Sequence, residues 1–309
     1  MWKKITSIVI ILLFIAVLLH PSVITEGAVD GLNLWLRAVI PSLFPFMIIS
    51  NIIIMSGLAC DMNYIMFPIT RLLRISADAS YCIMSGLLFG YPSCAVSACE
   101  MYRKGIINRD TAEYCSCCFN NISPAFIAGY FCNAVLNNSR IIPAILIIFY
   151  SVTFLTALLL RYTVFKNLMS ISGNNSVKNV SSGHWMDAAV LSALVNIGRL
   201  GGYIIIFSII CRAIEMTGIP APLRQMLCSA TEITTGLEKL GNAGLPSRVL
   251  ITAGIPMLHF GGLCGMFQTF GIDTSSVISK KKYICSKIIT FLFSGLVTYL
   301  AVYVLKISS

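Results

Sequence analysis

Ser85-Gly86-Leu87-Leu88-Phe89-Gly90-Tyr91-Pro92-Ser93 sits in the middle of an uncharged stretch, Ala79–Cys99, and is poor material for a continuous helix. Glycine costs backbone entropy there, and proline removes an N–H and clashes with the preceding turn. Backbone broken at membrane depth leaves N–H and C=O groups that lipid cannot satisfy. It survives only against protein or a water-filled cavity. A second interrupted stretch, Thr231-Glu232-Ile233-Thr234-Thr235-Gly236, lies in the other half of the chain. Short matches connect the two halves. Pro45-Phe46-Met47-Ile48-Ile49 resembles Gly202-Tyr203-Ile204-Ile205-Ile206, and Met55-Ser56-Gly57-Leu58 resembles Met216-Thr217-Gly218-Ile219. Each half reads helix, interrupted hairpin, helix, helix. Matched broken segments in two halves are the sequence pointer to a secondary transporter built from inverted repeats.

The composition requires a membrane. Of 309 residues, 57% are hydrophobic and 11% charged, against about 25% charged in a soluble domain. So much apolar surface has no place inside soluble domains of this length. The formal charge of +10 follows from basic residues collecting in cytoplasmic loops. No basic-aromatic stripe, zinc-finger spacing or RNP motif is present, so the expected partners are the lipid bilayer and a small solute, not nucleic acid. The twelve cysteines sit mostly in apolar runs, where cysteine behaves as a small hydrophobe. Cys115, Cys117 and Cys118 lack the pairing of a structural zinc site, and no metal is expected.

Uncharged stretches of about 20 residues mark membrane helices. They occur at Ile5–Thr25, Ala38–Cys60, Tyr114–Ser139, Ile141–Leu160, Ala188–Cys211, Val249–Ile272 and Ile288–Leu305. Asn167–Gly183, rich in Ser, Asn and Gly, reads as a flexible connector. With the N-terminus cytoplasmic and Ala79–Cys99 re-entrant, fourteen of the 22 Lys and Arg fall inside, Arg103, Lys104, Arg109, Lys280–Lys282 and Lys287 among them. Seven fall outside, and Arg199 is left within a span. This is the arrangement the positive-inside rule favours. The expected architecture is an all-α polytopic membrane protein of about seven crossings, in two inverted-topology repeats that each carry a re-entrant or broken hairpin. Its parts are an N-terminal membrane helix (1–30), a first gate-like repeat (31–165), a cytoplasmic linker (166–184) and a second gate-like repeat (185–309). The two interrupted segments, centred on Gly90–Ser93 and Thr234–Gly236, should meet near the midplane.

Candidate binding residues follow from this frame. Gly90, Tyr91, Pro92 and Ser93 form the first hairpin tip, where main-chain N–H groups gather and Tyr91 offers a stacking face. Asn120, Asn121 and Ser123, before the helix-breaking Pro124, bring amide and hydroxyl groups into a 26-residue uncharged span; such groups bind a polar solute or tie helices together. Arg199 is the strong charge deep in a span, and burial of such a charge demands a partner. Two readings stay open: a salt bridge with Glu232, or service to a ligand. Glu232, with Thr234, Thr235 and Gly236, lies in the second interruption and has the same two readings, its ligand being a coupling cation or proton. His259, beside Gly261-Gly262, is either a pathway residue or a helix-linking one. Three histidines and no aspartate deep in a span leave no catalytic constellation, so an enzyme is not expected. No cofactor is called for, although coupling to sodium or a proton is compatible with the fold. So is a homo-oligomer.

Gly31-Leu32-Asn33-Leu34-Trp35, Pro41-Ser42-Leu43-Phe44-Pro45-Phe46, Ser85-Gly86 with Gly90-Tyr91-Pro92-Ser93, and Asn120-Asn121-Ile122-Ser123-Pro124-Ala125-Phe126-Ile127 together resemble the YlbJ-type sporulation integral membrane proteins. These group with the nucleoside-recognition, or gate, domains related to concentrative nucleoside transporters. Gly201-Gly202-Tyr203-Ile204-Ile205-Ile206-Phe207-Ser208 and Thr231–Gly236 look like the second gate half. The resemblance runs from about Gly31 onward. It implies transport of a small anion, dipicolinate, across the outer forespore membrane during sporulation. A nucleoside-type transporter and a non-transporting scaffold with a gate-like fold are the alternatives.

Overall fold

The computed structural model describes residues 20–55, 63–166, 168, 185–273 and 276–304, and these are helical with no strand among them. Helix α1 (Pro21–Leu34) passes through a π-helical turn, Trp35–Val39, directly into α2 (Ile40–Met55). Residues 38–55 of the expected span Ala38–Cys60 therefore do not begin a helix of their own but continue a longer one, and 56–60 lie outside the described residues. Pro21–Thr25, expected to end the first span, opens that helix instead, with proline in the first turn where its missing N–H costs nothing. Residues 1–19, the rest of the first expected span, lie outside the described residues. An amphipathic helix α3 (Asn63–Leu73) follows.

The first interruption is a helical hairpin. Helices α4 (Ser80–Phe89) and α5 (Ser93–Arg103) have 10 and 11 residues. Each is therefore about 15–17 Å long, half of a hydrocarbon core. Helix α6 (Arg109–Phe119) stops at Asn120, and Ser123 starts α7 (Pro124–Phe126), which winds on as a π-helix, Ile127–Val135. Helix α8 (Ile142–Thr163) closes the half. The second half repeats the order. A long helix α9 (Trp185–Glu215) is followed by a hairpin of α10 (Ala221–Thr231) and α11 (Ile233–Gly241). An interrupted pair, α12 (Ser247–Phe260) and α13 (Gly262–Ile272), comes next. Finally α14 (Lys280–Tyr299) runs into a π-helical end, Leu300–Val304. Among the described residues, Ser139–Thr163, Met186–Glu215, Ser247–Ile272 and Lys280–Tyr303 are long and apolar enough to cross a membrane.

The equivalent long helices run antiparallel, which turns the second copy upside down. Trp35 Nε1 donates to Ile197 O at 3.0 Å, and Asn51 Nδ2 donates to Ala189 O at 3.0 Å. Within α1, Gly27 and Gly31 face Ile209 and Ile205. Small residues four apart let two backbones touch without side chains between them. A Cβ on Gly31 would stand 2.8 Å from Ile205 Cα, and main chain cannot yield as a side chain can. Gly31→Leu should therefore cost at least the ~1–3 kcal/mol of an overpacked core and sharply lower the yield of monodisperse protein, read by size-exclusion chromatography. A monodisperse variant melting like the parent would contradict this packing.

The loops sort to two ends. At one, Arg109 Nη2 donates to Ser276 O (2.9 Å), and Glu113 accepts from Ser279 N (2.8 Å) and Lys282 Nζ (2.6 Å). Arg161 joins them, donating to Leu73 O (2.8 Å) and Phe165 O (2.8 Å). At the other, Arg212 pairs with Glu26 and Glu215, and Lys239 with Glu215. Arg109 and the Lys280–Lys282 run thus share one end, as the loop charges require. Apart from Leu168, the connector 167–183 lies outside the described residues. Two apolar cores form, one around Tyr114, Phe119 and Tyr283, the other around Phe131, Phe149 and Ile233. The helix interruptions lie between them.

Candidate functional site

Four interruptions build the site. At the first hairpin tip Gly90 has φ +77°, and the Tyr91–Pro92 peptide is cis. The tip packs on the second interruption so closely that a Cβ on Gly90 would lie 2.7 Å from Ser123 N. Ser123 caps α7 by accepting from Phe126 N at 3.2 Å, a contact worth about 1 kcal/mol. The third interruption falls at Glu232 rather than at Thr234–Gly236, which form the first turn of α11. The reason is capping: the Glu232 carboxylate accepts from Thr234 N (3.0 Å) and Thr235 N (2.6 Å), satisfying free N–H groups at the positive end of the helix. Thr235 Oγ1 and Ser208 Oγ are 3.0 Å apart, and Gly236 packs against Ser229. The fourth interruption, at Gly261-Gly262 with φ +74° and +68°, divides what reads as one span, Val249–Ile272. The Gly-Gly pair was its sequence signal.

Each half reaches into the other. Tyr91 OH donates to Gly261 O at 3.4 Å, and Tyr130 OH donates to Thr234 O at 2.9 Å. Both hairpin tips consequently line one small inner cavity of about 60 Å³, through Gly90 and Tyr91 on one side and Glu232 and Thr234 on the other, with Ser123 between. Beside it lies a larger cavity of about 690 Å³, lined by Ser85, Pro92, Ser93, Asn196, Arg199 and Gln268, which reaches exposed Glu100 and Arg103 at the basic end. Met47, Phe89, Tyr91 and Leu200 border both and form the partition.

Several candidates stand elsewhere than expected. Arg199 is not buried against Glu232: it is exposed in the large cavity, Glu232 lines the small one, and the two form no ion pair. Water in a cavity of that size solvates a guanidinium without a carboxylate. Asn120 and Asn121 line neither cavity. Asn120 Nδ2 donates to Thr269 Oγ1 (2.8 Å) and Tyr283 OH (3.1 Å), and Asn121 Nδ2 to Cys118 O (3.0 Å). His259 is fully buried, stacked on Phe149 at 4.0 Å, with Nδ1 2.9 Å from Ser294 Oγ and Nε2 3.2 Å from Phe149 O. Its ring links α8, α12 and α14.

Lys287 is the residue that sequence reasoning misplaced. Counted among the cytoplasmic loop charges, it is only 2% exposed and lies inside α14. Its Nζ donates to Asn120 O (2.7 Å) and Asn121 Oδ1 (2.8 Å). The signal was available, since Tyr283, Ser286, Lys287, Thr290, Ser294 and Thr298 recur at three- and four-residue spacing. That spacing puts them on one helix face, and here it is the buried one.

Comparison with known proteins gives a consistent picture. The chain is similar to the sporulation integral membrane protein YlbJ of Bacillus subtilis (strain 168), 28% identical over 144 residues, covering 43% of this chain and 35% of that protein. The match thus spans about a third of the curated relative's length. No family model matches, and no solved structure matches. This similarity, on an all-α membrane architecture, agrees with the resemblance drawn from the motifs.

Proposed function

We propose, from this YlbJ-type resemblance, that the chain is a sporulation membrane protein working as a secondary transporter for a small anionic solute. By that resemblance the solute is dipicolinate, carried across the outer forespore membrane, with the basic end of the bundle and the N-terminus in the mother-cell cytoplasm. One observation carries the reading. A cavity of about 690 Å³ with polar side chains in its lining runs from the basic end to a partition that includes Tyr91, behind which two hairpin tips from opposite repeats meet. Arg199 supplies a fixed positive charge within the cavity. The start of α5 at Ser93 adds the positive end of a half-helix, a natural seat for a carboxylate. Tyr91 presents a ring on which an aromatic solute stacks. The pair of cavities, one reaching the basic end and one lined by both tips, suits alternating access around a central site.

Purified protein in proteoliposomes, offered radiolabelled dipicolinate or uridine, tests the proposal. The expected result is saturable dipicolinate uptake that unlabelled dipicolinate competes and uridine does not. Uridine uptake alone would establish the nucleoside reading, and uptake of neither would favour a scaffold.

A further inference from the structure

We infer that Lys287 is a tethered cation: its ammonium fills, from within the chain, a site for a monovalent cation formed by oxygens of two helix interruptions. Nζ lies 2.7 Å from Asn120 O, 2.8 Å from Asn121 Oδ1 and 3.5 Å from His259 O. The ring of Tyr283 lies 5.5 Å away, at cation–π distance. Among the described residues no carboxylate pairs with this ammonium. An ammonium has three donors and no acceptor, and here it has three oxygens to use them on.

The origin of those oxygens explains the arrangement. Asn120 is the C-cap of α6, and His259 lies in the last turn of α12. Both helices stop within the membrane, leaving carbonyls that no next turn satisfies. Their C-terminal ends also carry partial negative charge. Two such ends, one from each repeat, converge on one point, so a cation there is stabilised without an acidic residue. Half-helix C-termini and unwound carbonyls are what membrane transporters use to hold a free monovalent ion. Asn120 offers more of the same chemistry, because its Oδ1 is buried without a hydrogen-bond partner. In this chain a side chain of α14 delivers the charge. The occupant cannot leave, and both interruptions stay charge-compensated whatever the surrounding salt. The inference does not depend on the transport reading, since it concerns what fills the site.

The test uses full-length protein in detergent, with equal concentrations of sodium chloride or N-methylglucamine chloride. The parent should melt at the same temperature in both and bind no ²²Na⁺ in a scintillation proximity assay. Lys287→Ala empties the site: it should melt lower in N-methylglucamine, recover by at least about 4 °C in sodium or methylammonium chloride, and bind ²²Na⁺. Lys287→Met plugs the site with an uncharged chain of similar length, so it should be destabilised and not recover. Sodium-specific stabilisation of the parent, or a folded Lys287→Ala that neither recovers nor binds ²²Na⁺, would overturn the inference. Should Lys287→Ala be lost without sodium, purification in sodium throughout must yield folded protein; failure there overturns the inference equally.

Discussion

Arg199→Gln should lower dipicolinate uptake at least tenfold at unchanged membrane level. A hydrogen bond to a charged group contributes about 1.5–3 kcal/mol, and 1.4 kcal/mol already corresponds to a factor of ten. The structure makes this comparison clean. Arg199 is exposed in the large cavity and holds no ion pair with Glu232, so removing its charge leaves no buried carboxylate stranded. The melting temperature should stay where it was. Arg199→Lys keeps the charge but loses the planar fork that matches a carboxylate, and uptake should fall between the two. Equal uptake by parent and glutamine variant would remove Arg199 from the site and reopen the nucleoside reading.

Gly90→Ala should abolish uptake, and Gly105→Ala should not, although both glycines have positive φ. Gly90 combines φ +77° with ψ −173°, backbone that only glycine adopts readily and that costs any other residue about 1–3 kcal/mol. Its added methyl would also meet Ser123 N at 2.7 Å. Neither neighbour can rotate away, since one is a hairpin tip and the other a capped helix start. Relief requires the tip to lift, which pulls Tyr91 from Gly261 and opens the partition between the cavities. At Gly105, φ is +70° but nothing lies within 4 Å of an added Cβ, leaving the local strain alone. Measured side by side, the first variant should lose at least tenfold in uptake rate and the second should stay near the parent. Equal behaviour would show that the close seating of the tip on Ser123 is not needed.

Local chemistry accounts for much of what was legible beforehand. The Gly90-Tyr91-Pro92 break, the restart at Ser123-Pro124 and the sorting of loop charges each depend on residue types within a few positions. The interruption in Thr231–Gly236 was found, but its centre was placed at Thr234–Gly236 rather than at Glu232. Glu232 is an N-cap, and its carboxylate makes Thr234 and Thr235 helical. A run rich in Thr and Gly resembles a break until the cap is recognised.

By itself the sequence determined an all-α membrane protein in two halves, each with a broken hairpin. Apolar run length and helix-breaking residues are local and survive in any register. Tertiary structure alone decided which groups meet: Tyr91 with Gly261, Tyr130 with Thr234, and Lys287 with Asn120 and Asn121, contacts that span 104 to 170 positions. It separated Arg199 from Glu232 and moved Lys287 from a loop to the centre of the bundle. The physical reason is that hydropathy weighs a charge by the company it keeps along the chain. The cost of burying that charge is set by oxygens that arrive from other helices, and their arrival depends on how the two inverted halves interlock.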